Sequence, residues 1–248
     1  MEAPPVCTFL LSFLTFSVGG STPMALTLAI VAPVFVQVVE CSDAQLWLAA
    51  VLVYAIHGAL LEMIHAPKLQ PNVSFLPLRT VVPCVALNLA SALPLAFVRS
   101  APTGVADVPG ALYYLIFAIF GNELIYFSVH RILHLPRFYK FHALHHVQRA
   151  PRAAGAAYCS LVEMWFANLA SFVLPLAFLG APSGVLALWL VAGVMGTQMH
   201  HCGKKFGFCV DSFQPDYHDT HHRVRNAHYG NLSALLSAFN SGQLGDGA

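Results

Sequence analysis

The chain has 248 residues, of which 57% are hydrophobic and only 9% charged, with a formal net charge of +1. Soluble globular domains carry about 25% charged residues, so this chain has too little polar surface to cover itself and reads as an integral membrane protein. The length allows one or two domains, and a net charge so near zero gives no argument for nucleic acid as a partner.

Crossing a bilayer takes about twenty apolar residues. The first candidate covers residues 6–39, broken at Gly19-Gly20-Ser21-Thr22-Pro23, and is either one span near residues 24–39 or a tight pair. The N-terminus Met1-Glu2-Ala3-Pro4-Pro5 lacks the basic stretch of a cleaved signal peptide. A second candidate runs over residues 45–64, a third over 81–98 and a fourth over 109–129, which flows without a break into His130. Pro136 then breaks the helix, and the chain restarts toward His142. Residues 161–179 and 183–199 form the last two candidates, joined only by Gly180-Ala181-Pro182, which makes them a hairpin. The expected architecture is all-α: a polytopic membrane helix bundle with a histidine-rich metal-binding cap.

The hairpin returns the chain to the side it left, so the histidines around 130–146 and 200–222 share one membrane face. Given four spans before His130, eleven of the twelve Lys and Arg residues fall on that face and only Arg99 on the other. The excess of basic residues makes this face cytosolic.

Three histidine clusters mark that face: His130-x-x-x-His134, His142-x-x-His145-His146 and His218-x-x-His221-His222. On a helix, residues i, i+3 and i+4 share a face, so each cluster is expected to aim its imidazoles one way. Eight imidazoles converging suit a transition metal, bound through the neutral base. The six cysteines form no Cys-x-x-Cys pair and read as small buried hydrophobes. Glu62-x-x-His65 imitates half of a carboxylate di-iron site, but its partners are missing. His57, inside the second span, reads as a neutral imidazole bonded to a neighbouring helix.

The residues flanking the clusters say more. Tyr126-Phe127-Ser128-Val129-His130-Arg131-Ile132-Leu133-His134 is followed by Phe138-Tyr139-Lys140-Phe141-His142-Ala143-Leu144-His145-His146. Then come Tyr158-Cys159-Ser160-Leu161-Val162-Glu163, His201-Cys202-Gly203, Tyr217-His218-Asp219-Thr220-His221-His222-Arg223 and Gly230-Asn231-Leu232-Ser233. Over roughly residues 110–235 this pattern resembles the fatty acid hydroxylase superfamily, and within it the C-4 methylsterol oxidases. The resemblance implies two regions: N-terminal transmembrane spans over residues 1–108, and a di-iron domain over 109–240 that includes the membrane hairpin at 161–199.

It further implies a two-iron, all-histidine site at the cytosolic face of the endoplasmic reticulum membrane. Its ligands would be His130, His134, His142, His145, His146, His201, His218, His221 and His222. Members of the superfamily use molecular oxygen and electrons from a separate reductase chain to oxidise a C–H bond of a lipid, here a sterol C-4 methyl group. Sterol desaturation, lipid hydroxylation and a degenerate scaffolding homologue are the other readings. Glu163 is either an acceptor for the free N–H of a ligand imidazole or a plain helix N-terminal acid. Asn231 either orients a ligand or caps a helix. The chain departs from the family four residues after His201, where Lys205 stands in place of a further histidine; His200, His228 or a water could fill that role.

Overall fold

A computed structural model describes residues 42–95, 104, 106–205 and 215–231. The first expected span and the C-terminal tail lie outside the described residues. Among the described residues the chain is all-α, with one isolated bridge between Lys68 and Lys204.

Helix α1 spans Asp43–Met63. Ser42 caps it, accepting from the Gln45 backbone N–H, while the Gln45 side chain accepts from the Ser42 N–H at 2.9 Å. This reciprocal box satisfies two donors that the first helical turn leaves over. The far end is closed from a distance in sequence. Lys204 Nζ donates to the carbonyls of Leu61, Glu62 and Ile64 at 2.6, 3.0 and 2.8 Å. A cation there also meets the negative end of the helix dipole.

Helix α2 covers Leu78–Ser91 and contains Pro83. At 14 residues it is shorter than the span expected over 81–98. Helix α3, Val108–Leu133, starts on Asp107, which accepts from the Gly110 N–H at 2.9 Å, with Pro109 in the first turn, where its missing N–H costs nothing. Its 26 residues reach about 39 Å at 1.5 Å per residue, more than the hydrocarbon thickness of a bilayer. The helix therefore runs past the expected boundary and carries His130 within it.

Helix α4, Leu161–Phe178, begins on Ser160 and holds a π-helical stretch, Met164–Leu169, directly after Glu163. Gly180, at φ +62°, turns the chain into α5, Ser183–His200. Helix α6 covers Pro215–Val224.

Three of these helices, Asp43–Met63, Pro109–Leu133 and Leu161–Phe178, are long and apolar enough to cross a membrane. Helix α1 packs mainly on α5, and α3 on α4. A Cβ on Gly121 would stand 2.8 Å from Pro175 Cβ, so glycine there lets α3 and α4 approach closely. His57 bonds across the α1–α5 contact to Gln198 Oε1 at 2.8 Å, as expected of a span histidine. Glu62 pairs with Arg152 at 2.8 Å and takes no part in a metal site.

Candidate metal centre

The histidines meet where the C-terminal end of α3, the loop after it, the end of α5 and α6 converge. The loop carrying His142, His145 and His146 is built of 3-10 turns, Tyr139–Phe141 and His145–Val147, rather than the expected α-helix. Pro136 removes a donor and starts this irregular path.

Nine histidines fall into two groups, and within each the ligand nitrogens all lie within 4.8 Å of one another. The first holds His130, His134, His142, His146 and His221; the second holds His145, His201, His218 and His222. The expectation that each cluster aims one way is corrected by this division. The i, i+4 pairs stay together: 130 with 134, 142 with 146, 218 with 222. The remaining histidine of each H-x-x-H-H motif, His145 and His221, crosses to the other group. On α6 the helical geometry explains the split. At 3.6 residues per turn, His222 lies about 40° to one side of His218 and His221 about 60° to the other.

All but His134 are buried. Burial, reinforced by neighbouring imidazoles, holds His142, His218, His221 and His222 well below the ordinary imidazole range, and His134 and His145 fall to about 4. Near neutral pH these rings are therefore neutral bases, the form that binds metal.

Acceptors around the site fix which nitrogen carries the proton. His130 Nδ1–H donates to Tyr229 O at 2.7 Å, His221 Nδ1–H to Ala227 O at 2.7 Å, and His201 Nδ1–H to Thr197 O at 2.8 Å. His145 Nδ1–H donates to Tyr158 O at 3.3 Å, and His142 Nδ1 lies 2.8 Å from Glu163 Oε2. A carbonyl oxygen only accepts, so on His130, His221, His201 and His145 the hydrogen sits on Nδ1 and the lone pair on Nε2. Yet His130 and His142 bring their Nε2 atoms to 3.0 Å, and His145 and His201 bring theirs to 3.3 Å. Lone pairs facing at that distance repel unless a cation stands between them. Two nitrogens about 2.1 Å from one ion are about 3 Å apart at a right angle. His145 and His201 present such a pair of lone pairs, His130 and His142 have the same spacing, and the donor set of each group fits a metal ion.

Glu163 is buried, and its carboxylate reaches a histidine of each group: Oε2 lies near His142, and Oε1 lies 3.7 Å from His145 Nδ1. Of the two readings from sequence, its place is against the imidazoles, although the Ser160 hydroxyl also accepts from its N–H, at 3.2 Å. Asn231 donates its backbone N–H to Glu123 Oε2 at 2.9 Å and its side-chain amide to Asn122 Oδ1 at 3.4 Å. The residues that it would cap, from 232 on, lie outside the described residues.

Lys205, at the departing family position, is exposed to solvent, and its backbone N–H donates to Pro67 O at 2.8 Å. His200 and His228 belong to neither group; the His228 ring packs on Tyr217 at 4.1 Å. Sequence reasoning missed Glu123, Lys204 and every backbone carbonyl that orients a histidine. The signal for Glu123 was present, since an ionisable residue inside a span marks a site by default.

Beside the second group lies an apolar cavity of about 420 Å³ between α1, α2, α4 and α5. Its walls include Tyr54, Leu89, Phe172, Leu190 and Val194. It runs from Asp43 at the start of α1 to Thr197, whose carbonyl orients His201. Residues 43 to 54 of α1 line it, a depth of about 16 Å at 1.5 Å per residue. The π-helical stretch directly after Glu163 is itself part of this wall, so that one helix serves the histidines through Glu163 and the cavity through Met164, Asn168 and Phe172.

The family model described as Fatty acid hydroxylase matches residues 115–239. Methylsterol monooxygenase 2-2 of Arabidopsis thaliana is 33% identical over 131 residues, 50% of this chain and 47% of that protein. Fatty acid hydroxylase domain-containing protein 2 of Homo sapiens is 31% identical, covering 48% of this chain and 35% of its own. Very-long-chain aldehyde decarbonylase GL1-11 of Oryza sativa subsp. indica is 32% identical, covering 60% and 54%. The chain therefore spans about half or less of the length of these relatives. No solved structure matches.

Proposed function

Because the chain belongs to the fatty acid hydroxylase family, we propose that it is a membrane-bound, two-iron, oxygen-dependent lipid oxidase, with a sterol C-4 methyl group as its substrate. One ion is held by His130, His134, His142, His146 and His221, and the other by His145, His201, His218 and His222. The observation that carries the reading is the convergence of nine histidines into two groups, the nitrogens of each within 4.8 Å of one another, with an apolar cavity that reaches Thr197, one helical turn before His201. Bound there, iron supplies the redox chemistry that oxidises an unactivated C–H bond with dioxygen.

The chain's own part is to bind, orient and keep dry. The cavity takes the apolar body of a lipid and offers few polar groups to it. The carbonyls of Tyr158, Thr197, Ala227 and Tyr229 hold four imidazoles in the Nδ1–H tautomer and keep Nε2 free for metal, and the buried Glu163 stands 2.8 Å from His142 Nδ1. In the first oxidation one atom of dioxygen enters the C–H bond. The other leaves as water, using two electrons and two protons from a separate reductase chain. Further rounds take the alcohol to aldehyde and acid.

The sterol assignment draws on likeness to the methylsterol monooxygenases. The same reading sets the chain in the endoplasmic reticulum membrane, with the histidines and most of the basic residues toward the cytosol. The direct test supplies iron-loaded protein with dioxygen, a reductase system and a panel of 4-methyl sterols, fatty acyl chains and long-chain aldehydes. Conversion of a 4-methyl sterol to its 4-hydroxymethyl product is expected. Conversion of only acyl or aldehyde substrates overturns the sterol assignment, and conversion of none overturns the oxidase reading.

A further inference from the structure

The turn over residues 225–231 carries two non-glycine residues in the left-handed region, Arg225 at φ 65° and His228 at φ 61°. Such conformations persist when the surroundings over-determine them, and they gather at functional sites. Here the result is that two carbonyls of one short turn point back at the same histidine group. Ala227 O accepts from His221 Nδ1–H, and Tyr229 O from His130 Nδ1–H, each at 2.7 Å.

The turn is itself held from α3. Glu123 is 5% exposed, two helical turns before His130, and its Oε2 accepts the Asn231 N–H at 2.9 Å. Neighbouring Asn122 accepts from the Asn231 side chain. A Cβ on Gly230 would collide with Glu123 Oε1, so only glycine lets the turn lie this close to the carboxylate.

We propose that Glu123 is a positioning residue that latches the 225–231 turn to α3 and so aims His130 and His221 at the five-histidine group. Both histidines that the turn's carbonyls orient belong to the five-histidine group. In the four-histidine group, the carbonyls that orient His145 and His201 belong to Tyr158 and Thr197, which lie outside this turn. Loss of the latch is therefore selective, which a general role in folding would not be.

The inference rests on the metal reading for its consequence but not for the latch itself, and two measurements separate them. The first is amide hydrogen exchange by mass spectrometry on metal-free protein in detergent. Glu123→Ala raises exchange over residues 227–231 about tenfold, the cost of leaving one buried N–H without its acceptor. Glu123→Gln, which keeps an accepting oxygen, restores protection. The second is metal counting after iron loading: Glu123→Ala retains one ion of the two, and Glu123→Gln retains both. Unchanged exchange in Glu123→Ala overturns the latch, and raised exchange with full metal content overturns its positioning role. Should Glu123→Ala not fold, Gly230→Ala displaces the turn with α3 intact, and the same loss of protection and of one ion is expected. Failure of the unaltered protein to bind metal sinks the two-iron reading while the exchange result still decides the latch.

Discussion

Glu163 offers the sharpest test of how the two histidine groups are coupled. Its Oε2 lies 2.8 Å from His142 Nδ1 in one group, and its Oε1 3.7 Å from His145 Nδ1 in the other. Glu163→Gln keeps an accepting oxygen for one imidazole but turns an amide N–H toward the second, where donor would face donor. His145 retains Tyr158 O as an acceptor, so a Gln that serves His142 spares most of the binding. Glu163→Ala leaves His142 with no acceptor from this residue. Removing such an outer partner typically lowers metal affinity 10- to 100-fold, about 1.4–2.7 kcal/mol. The expected order is therefore wild type, Glu163→Gln within about tenfold, and Glu163→Ala about 10- to 100-fold weaker. Competition against a chelator of known affinity, followed by elemental analysis of the protein in detergent, reads this directly. Equal affinity in all three proteins would refute the account of Glu163 and leave it a helix N-terminal acid.

The division of the histidines makes His145→Ala and His146→Ala inequivalent although the residues are adjacent: each abolishes oxidation, but His145→Ala loses the ion of the four-histidine group and His146→Ala weakens that of the five. Full oxidation in either, by product analysis, contradicts the grouping. Lys205→His leaves metal content unchanged, because residue 205 faces solvent; a gain of bound metal would show that it reaches the site. Acid stability follows from His134 and His145, held at about 4 against about 6.5 for a free imidazole. The unfolded chain binds more protons between those values, so stability rises with pH there and is lost as pH falls from about 6.5 toward 4. Thermal unfolding of metal-free protein gives a Tm that is flat above about pH 7 and drops below 6.5; a Tm that rises on acidification contradicts it.

The nine histidines were legible because metal chemistry is written in residue type and spacing. Their division between two groups was not. It depends on the 3-10 path from Tyr139 to Val147, which periodicity cannot distinguish from a helix, and on how α6 seats against α5. The carbonyls of Tyr158, Thr197, Ala227 and Tyr229 are backbone atoms, and any side chain could have accompanied them. Lys205 drew attention for where it stands in the family pattern, whereas its neighbour Lys204 does the structural work by closing α1. That contact spans about 140 residues of sequence, and no local pattern encodes it. Glu123 was readable as a charge within a span, but its partner lies in a turn more than a hundred residues away.

Each histidine group is proposed to hold one iron. Iron counted per chain by elemental analysis, on protein purified in mild detergent and loaded anaerobically with ferrous iron, tests it most directly. Two irons per chain are expected, falling to one in His145→Ala. One iron or none in the unaltered protein, or zinc retained in preference to iron, would contradict it.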